Sequence, residues 1–381
     1  DMNLVQQSLA AGSLGRAREL LNRHRPKPGE IDLRGWEWRY LWQLCRNEAQ
    51  SVLGNVPFHI TSVAVSADGN WIAAAEWIAG GLTLWNRTTH ETIRVPAGSG
   101  SVRVAMSPTE PLLAVGATFP GMPAVDNRVL LWNYESRKVV RELPTPGTSG
   151  LFFSADGTTL LTSGWGPANE VVLWRVADGN RIGSCPAPNP TPAAQDRFWC
   201  VGATADLKLA AYGSADSNLH LLDLTTGERR WTVRGADERI LGLAFSPDGK
   251  TLASGAGFEE SAIRLWDVES GKERGRLEGH KGFITQLKFS VDGKTLYSAS
   301  GDHTLRVWDV GTGGVSRIFR GHEKGVWAFA LLPDNRTLVS GASDGSVQLW
   351  DLRAPAFVTT VTIPDRAAAW RFIGDRELVM V

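Results

Sequence analysis

A serine, a histidine and an aspartate can together run nucleophilic catalysis, and this 381-residue chain carries that trio twice. His280, Ser298 and Asp302 form one set, and His322, Ser340 and Asp344 form the other, each member 42 positions after its counterpart. Such a set activates a hydroxyl when the imidazole takes its proton and the carboxylate orients the ring. Six positions after each aspartate stands a tryptophan, Trp308 or Trp350. Recurrence in register with a tryptophan is the mark of a structural staple, because polar groups buried inside a repeated unit must be paired. We therefore read both sets as structural and expect no catalysis from them.

No other stretch nominates chemistry. The chain lacks His-Glu-x-x-His, Cys-x-x-Cys and metal-spaced carboxylates, so neither a metal nor a cofactor is expected. Gly98-Ser99-Gly100-Ser101 is followed by no helix that could complete a phosphate cradle. Kinase machinery is missing too: there is no Gly-rich loop with its lysine strand, and no catalytic-loop motif. Cys45, Cys185 and Cys200 have no ligand spacing and read as buried thiols, with a Cys185–Cys200 bridge as the alternative. The expectation is that this chain is not an enzyme.

The elements that position these residues repeat. An apolar residue, usually followed by Trp and often by Asp, recurs at Leu84-Trp85-Asn86, Leu131-Trp132-Asn133, Leu173-Trp174-Arg175, Leu221-Leu222-Asp223, Leu265-Trp266-Asp267, Val307-Trp308-Asp309 and Leu349-Trp350-Asp351. Successive spacings are 47, 42, 48, 44, 42 and 42 residues. A period near 40–45 with this signature predicts four-stranded propeller blades that bury their faces only by stacking. In the clearest unit, Phe283–Phe289, Thr295–Ser300, Thr304–Trp308 and Arg317–Arg320 read as four strands. Tight turns recur at Asp68-Gly69, Asp156-Gly157, Asp248-Gly249 and Asp292-Gly293, with Asp334-Asn335 in the same slot.

With these motifs, residues 49–381 resemble the WD40 repeat family. The resemblance implies that His280, Ser298, Asp302 and Trp308 form one network, and His322, Ser340, Asp344 and Trp350 the next. The first five repeats lack the Gly-His and are expected to rest more on apolar packing. The fold class expected is all-β, a WD40-type β-propeller with an α-helical hairpin at residues 1–48. Blades are placed near 60–95, 101–143, 148–184, 197–234, 239–278, 283–320 and 325–362. An eighth, composite blade is expected from 368–381 together with 49–54, and seven blades with frayed ends is the alternative. A strand of that eighth blade would lie beyond Val381, and the opening at Asp1 suggests a piece of a longer protein.

In the first 48 residues, Ser13 and Asp32 are candidate caps for two helices. Leu14, Ala17, Leu20 and Leu21 share one face of the first helix, and the second is rich in tryptophan. This hairpin is expected to pack on the propeller as a plug or lid, with an adaptor to an upstream domain as the alternative. The stretch HRPKPGEIDLRGWEWRYLWQLC resembles the region after the kinase domain of bacterial multidomain WD40 serine/threonine kinases. That resemblance implies a sensory or interaction region, with an upstream kinase domain as its neighbour.

The best-supported activity is binding. Lysine plus arginine equals aspartate plus glutamate, 40 against 40, so nothing favours nucleic acid as a partner. No apolar run is long enough to cross a bilayer, so no membrane insertion is expected from this chain. A cytoplasmic location is favoured, and an extracytoplasmic one would follow from an upstream membrane segment. Loops between second and third strands share a rim with the connections that enter the first strands. On that rim fall Trp77, Phe119, Trp165 and Phe258, joined by Trp199, Phe283 and Trp327 at the entries. The family resemblance implies partner contact at Trp199 and Trp327. Aromatics suit a protein or peptide ligand because they bury much area at little entropic cost. Arg103, Arg197 and Arg239 are their candidate polar neighbours, and the insert at 117–128 is a further recognition element. Three rival readings remain: the aromatics fill space left by the missing networks, a small ligand is sensed in the central channel, or the propeller has only an architectural task, spacing or oligomerising kinase domains.

Overall fold

The computed structural model describes residues 2–10, 14–26, 34–45, 49–77, 81–96, 101–118, 128–145, 148–164, 170–186, 200–214, 217–237, 239–257, 261–353, 370–373 and 377–380. Seven four-stranded antiparallel sheets account for most of them. Strand β1 (Ser51–Asn55) precedes blade 1, which is β2 (Ile60–Val65), β3 (Trp71–Glu76), β4 (Gly81–Asn86) and β5 (Thr92–Pro96). Blade 2 is β6 (Ser101–Met106), β7 (Leu112–Thr118), β8 (Arg128–Asn133) and β9 (Lys138–Pro144), and blade 3 is β10 (Gly150–Phe153), β11 (Thr159–Ser163), β12 (Glu170–Arg175) and β13 (Arg181–Pro186). Blade 4 is β14 (Cys200–Ala203), β15 (Leu209–Gly213), β16 (Asn218–Asp223) and β17 (Arg229–Arg234), and blade 5 is β18 (Ile240–Phe245), β19 (Thr251–Ala256), β20 (Ile263–Asp267) and β21 (Glu273–Leu277). Blade 6 is β22 (Ile284–Phe289), β23 (Thr295–Ser300), β24 (Thr304–Asp309) and β25 (Val315–Arg320), and blade 7 opens with β26 (Val326–Leu331), β27 (Thr337–Ala342) and β28 (Ser346–Asp351).

The fourth strand of blade 7 comes from the other end of the chain. Ser51 pairs with Leu349 and Asn55 with Ser346, so β1 lies antiparallel on β28. This corrects the eight-blade expectation. The segment at 51–53 is the outer strand of blade 7 and is not available to a composite eighth blade with 368–381. The pair β29 (Trp370–Ile373) and β30 (Glu377–Met380) forms a separate two-stranded sheet. With β1 in place, the third strand β28 of blade 7 has a partner on both sides and no open edge for another chain to extend.

The core has the symmetry this closure requires. Seven apolar clusters each join two neighbouring blades, and one of them links Ile60, Ile72 and Trp85 of blade 1 to Ala328, Val339 and Leu349 of blade 7. An open stack of seven blades would have six such interfaces. The third-strand tryptophans carry this burial, with Trp308 and Trp350 almost wholly enclosed. In the turns, Ser66, Ser154, Ser246 and Ser290 donate to Asp68, Asp156, Asp248 and Asp292. The following glycine takes up the left-handed turn, as at Gly293 (φ 71°).

The N-terminal segment holds three helices where a hairpin was expected: α1 (Met2–Ala10), α2 (Leu14–Asn22) and α3 (Trp36–Leu44). Ser13 and Asp32 lie outside the described residues. Leu14, Ala17, Leu20 and Leu21 are buried, and Val5, Trp38, Leu41 and Cys45 complete a core of the helices' own. The Trp38 indole donates to Leu21 O at 2.9 Å and stacks on Trp42 at 5.2 Å. Not all the aromatics are covered: Trp36 and Tyr40 are exposed. A Cβ on Gly15 of α2 would lie 2.6 Å from the Glu323 carboxylate, so the helices meet the propeller at the entrance to blade 7. No helix among the described residues is long and apolar enough to cross a membrane.

Candidate protein-interaction face

Both serine–histidine–aspartate sets assemble. His280 Nδ1 lies 2.7 Å from Asp302 Oδ2 and its Nε2 lies 2.7 Å from Ser298 Oγ, which also accepts from Trp308 Nε1 at 2.8 Å. In blade 7, His322 Nε2 lies 2.7 Å from Ser340 Oγ, which accepts from Trp350 Nε1 at 2.7 Å. The His322 Nδ1 reaches Ser346 Oγ at 3.0 Å and Asp344 Oδ2 at 3.3 Å. Each aspartate also accepts the backbone N–H at the blade entrance, from Lys281 or Glu323.

Burial decides what these sets do. Ser298 and Ser340 are wholly enclosed, and their oxygens already hold an indole N–H and an imidazole. A hydroxyl sealed in this way cannot meet a substrate. Burial pushes the His280 imidazole down, against the pull of Asp302. For Asp302, burial pushes the carboxyl up, but the hydrogen bonds from His280, Thr304 and the Lys281 amide outweigh it and hold the group below the ordinary range. Asp344 is held down in the same manner by His322 and Ser346.

Other blades keep parts of the network. Trp174 donates to Thr162 Oγ1 at 2.9 Å and Trp266 to Ser254 Oγ at 2.8 Å. Blade 4, where Leu222 replaces the tryptophan, has a polar line that the repeat comparison missed. His220 bridges Ser214 Oγ at 2.9 Å and Thr232 Oγ1 at 2.8 Å, with Tyr212 stacked on the ring at 4.5 Å. Leu219-His220-Leu221-Leu222 in the repeat phrase was the signal that could have found it.

The entry rim gathers four described aromatics over three consecutive blades. Phe283 enters blade 6 and Trp327 opens β26 of blade 7, their rings 5.4 Å apart and tilted by 48°. A bulge between Val326 and Ala328 re-aims Trp327 out of the ladder. Its indole donates to Ser343 Oγ at 2.6 Å, so this tryptophan is half-buried and tied down. On blade 1, Trp77 is 41% exposed and Phe58 40%. Phe58 sits in the connection from β1 to β2, which crosses the Gly345 turn of blade 7. No repeat counterpart marks that connection, and Phe58 was not singled out from the sequence. Phe119, Trp165, Trp199 and Phe258 lie outside the described residues, as do Arg197 and most of the 117–128 insert.

Arg103 is not on the rim. It belongs to the inner strand β6, and its guanidinium donates to Thr61 O of blade 1 at 2.8 Å. The three cysteines are free and buried, with Cys185 and Cys200 in different blade interfaces, which rules out the bridge. Among the described residues no group of three or more His, Cys, Asp and Glu could hold a metal ion.

With the ring and its networks in view, the comparisons agree on the repeat. Residues 271–309 and 313–351 match the family described as "WD domain, G-beta repeat". This is a WD40-repeat β-propeller. Residues 199–282 of the WD40 propeller also match the "Anaphase-promoting complex subunit 4 WD40 domain". It is similar to "Protein FIZZY-RELATED 3" of Arabidopsis thaliana, 27% identical over 137 residues, and to "B-type cell cycle switch protein ccs52B" of Medicago truncatula, 26% identical over 137 residues. Each alignment covers 35% of this chain and 27% of the relative, so the match spans about a quarter of those relatives' length. Both are plant proteins and neither is named a kinase, which leaves the kinase-linked expectation for residues 24–45 without support. A WD40 propeller whose serines are sealed in this way is non-catalytic.

Proposed function

We propose that this WD40 propeller holds a protein partner on its entry rim over blades 6, 7 and 1, through an apolar peptide segment. One observation carries the reading: the rim presents exposed Trp77 and Phe58 beside a preformed, half-buried Phe283–Trp327 pair. Exposed aromatics next to anchored ones supply area at little entropic cost, which is how interface hot spots are built. The similarity to a domain of a multisubunit complex and to a cell-cycle switch protein supports a protein as the partner class.

Selecting displayed peptides on the intact protein tests this. Peptides enriched by the natural chain should carry aromatic or aliphatic anchors and be lost on the Phe58→Ala/Trp77→Ala variant. Enrichment that survives this double substitution would place the binding surface elsewhere.

A further inference from the structure

One backbone bond recurs along the entry rim. Trp77 N donates to His59 O at 2.7 Å in blade 1, Gly301 N to Phe283 O at 2.8 Å in blade 6, and Ser343 N to Gly325 O at 2.9 Å in blade 7. In each blade the donor directly follows the second strand and the acceptor directly precedes the first. The two sides of this bond divide the aromatics differently. Blade 1 carries its ring on the loop side, as Trp77, whereas blade 6 carries it on the entry side, as Phe283, with glycine opposite. In blade 7 the entry side is Gly325, and the ring comes from Trp327, whose indole bonds the loop residue Ser343.

The glycine in blade 6 is not required by the turn. Gly301 does not take a positive φ, so its backbone suits other residues. What requires it is the neighbouring ring: a Cβ on Gly301 would lie 2.4, 2.5 and 2.7 Å from Cε1, Cζ and Cδ1 of Phe283. Phe283 therefore rests on the bare backbone of residue 301. Blade 7 closes on the same spot, where a Cβ on Gly325 would stand 3.2 Å from Gly301 Cα. The backbones of 301 and 325 are both held by the recurring bond, so the ring is the part that would have to move. Moving it changes the contact that places Phe283 and Trp327 5.4 Å apart and tilted by 48°.

We propose that Gly301 is a positioning residue for partner capture: by leaving room for the Phe283 ring, it holds Phe283 and Trp327 together as one preformed aromatic surface for an apolar anchor of the peptide. Rings already in place lose little freedom when a partner arrives, so their placement counts directly in affinity. This role rests on the reading that the rim over blades 6, 7 and 1 binds the partner. Neither the repeat phrase nor residue type marks Gly301, because the demand for glycine comes from a ring 18 positions earlier in the chain.

Two variants of the whole chain and their combination test it. Gly301→Ala moves the ring and Phe283→Ala removes it, so the three proteins form a cycle with the natural chain. In urea, Gly301→Ala should lower the unfolding midpoint of the natural chain and leave that of Phe283→Ala unchanged. Calorimetric titration of a selected peptide should show about tenfold weaker binding to Gly301→Ala. In the Phe283→Ala background the same substitution should change affinity by less than about twofold. A glycine that served only the fold would give equal effects in both backgrounds, and that result would overturn the proposal. Natural affinity in Gly301→Ala, with binding lost in Phe58→Ala/Trp77→Ala, would sink the positioning role and leave the rim reading standing. Binding that survives Phe58→Ala/Trp77→Ala would sink the rim reading and the role of Gly301 in capture with it.

Discussion

Asn55 pairs in antiparallel register with Ser346, joining the first strand of the chain to the last blade. Just before it, Gly54 lies against blade 1, where a Cβ would stand 2.9 Å from Trp85 Nε1 and 3.0 Å from two further indole atoms. The closing strand is therefore wedged between β28 and the first repeated tryptophan. Gly54→Val should cost about 1–3 kcal/mol by overpacking. Gly275→Ala in β21, with nothing within 4 Å of its added Cβ, is the control and should be close to neutral. Urea midpoints of the two variants check this.

The staples make a second prediction. Ser298→Ala leaves both Trp308 Nε1 and His280 Nε2 without their buried partner. An unpaired buried polar group costs about 1–3 kcal/mol, so this single hydroxyl should be worth about 2 kcal/mol or more. Ser340→Ala should behave alike, since Trp350 and His322 share its oxygen in the same way. Equilibrium unfolding of each variant measures the loss.

Acid should weaken the fold in two windows. The His280 pKa is lowered from 6.5, so the unfolded chain takes up its proton first, and stability falls as pH drops below about 6.5. Asp302 and Asp344 are lowered from 3.8, so their contribution is present above that value and is lost as pH falls beneath it. Asp302→Asn should be less stable at neutral pH and should flatten the lower window. Denaturant midpoints across pH 2–8 would show it.

The thiols should be silent in the native state. Burial pushes Cys45 up to about 11 and Cys200 up to about 12, so little thiolate forms at neutral pH. Alkylation with iodoacetamide should be negligible in buffer, and Cys45, Cys185 and Cys200 should all react in denaturant. Mass spectrometry counts the adducts.

Much of this was readable beforehand, for a physical reason. The seven Leu-Trp-Asp-like phrases all fall on third strands, because that strand is buried on both faces and its turn needs a polar residue. The blade count was misjudged because Ser51-Val52-Leu53 looks like any outer strand, and no local pattern names a partner almost three hundred residues away. Helix α1 was missed because MNLVQQSLA, at nine residues, is too short to show a clear helical period. On the rim, residue type could not separate Trp77 from Trp327. Their difference rests on Ser343 and Phe283, distant in sequence, which bind one indole and leave the other open.

That difference bears on which substitutions are clean. Trp327→Ala removes a half-buried ring, its contact with Phe283 and a hydrogen bond, and should cost about 2 kcal/mol. Trp77→Ala touches an exposed ring and should stay within about 0.5 kcal/mol of the natural chain. Thermal melts of the pair separate packing from surface display.

The rim as a protein-binding face is tested most directly by calorimetric titration of one selected peptide into the natural chain and Trp77→Ala. We predict at least tenfold weaker binding for Trp77→Ala, with its melting midpoint unchanged. Equal affinity for both proteins, or a loss that appears only together with unfolding, would contradict the account.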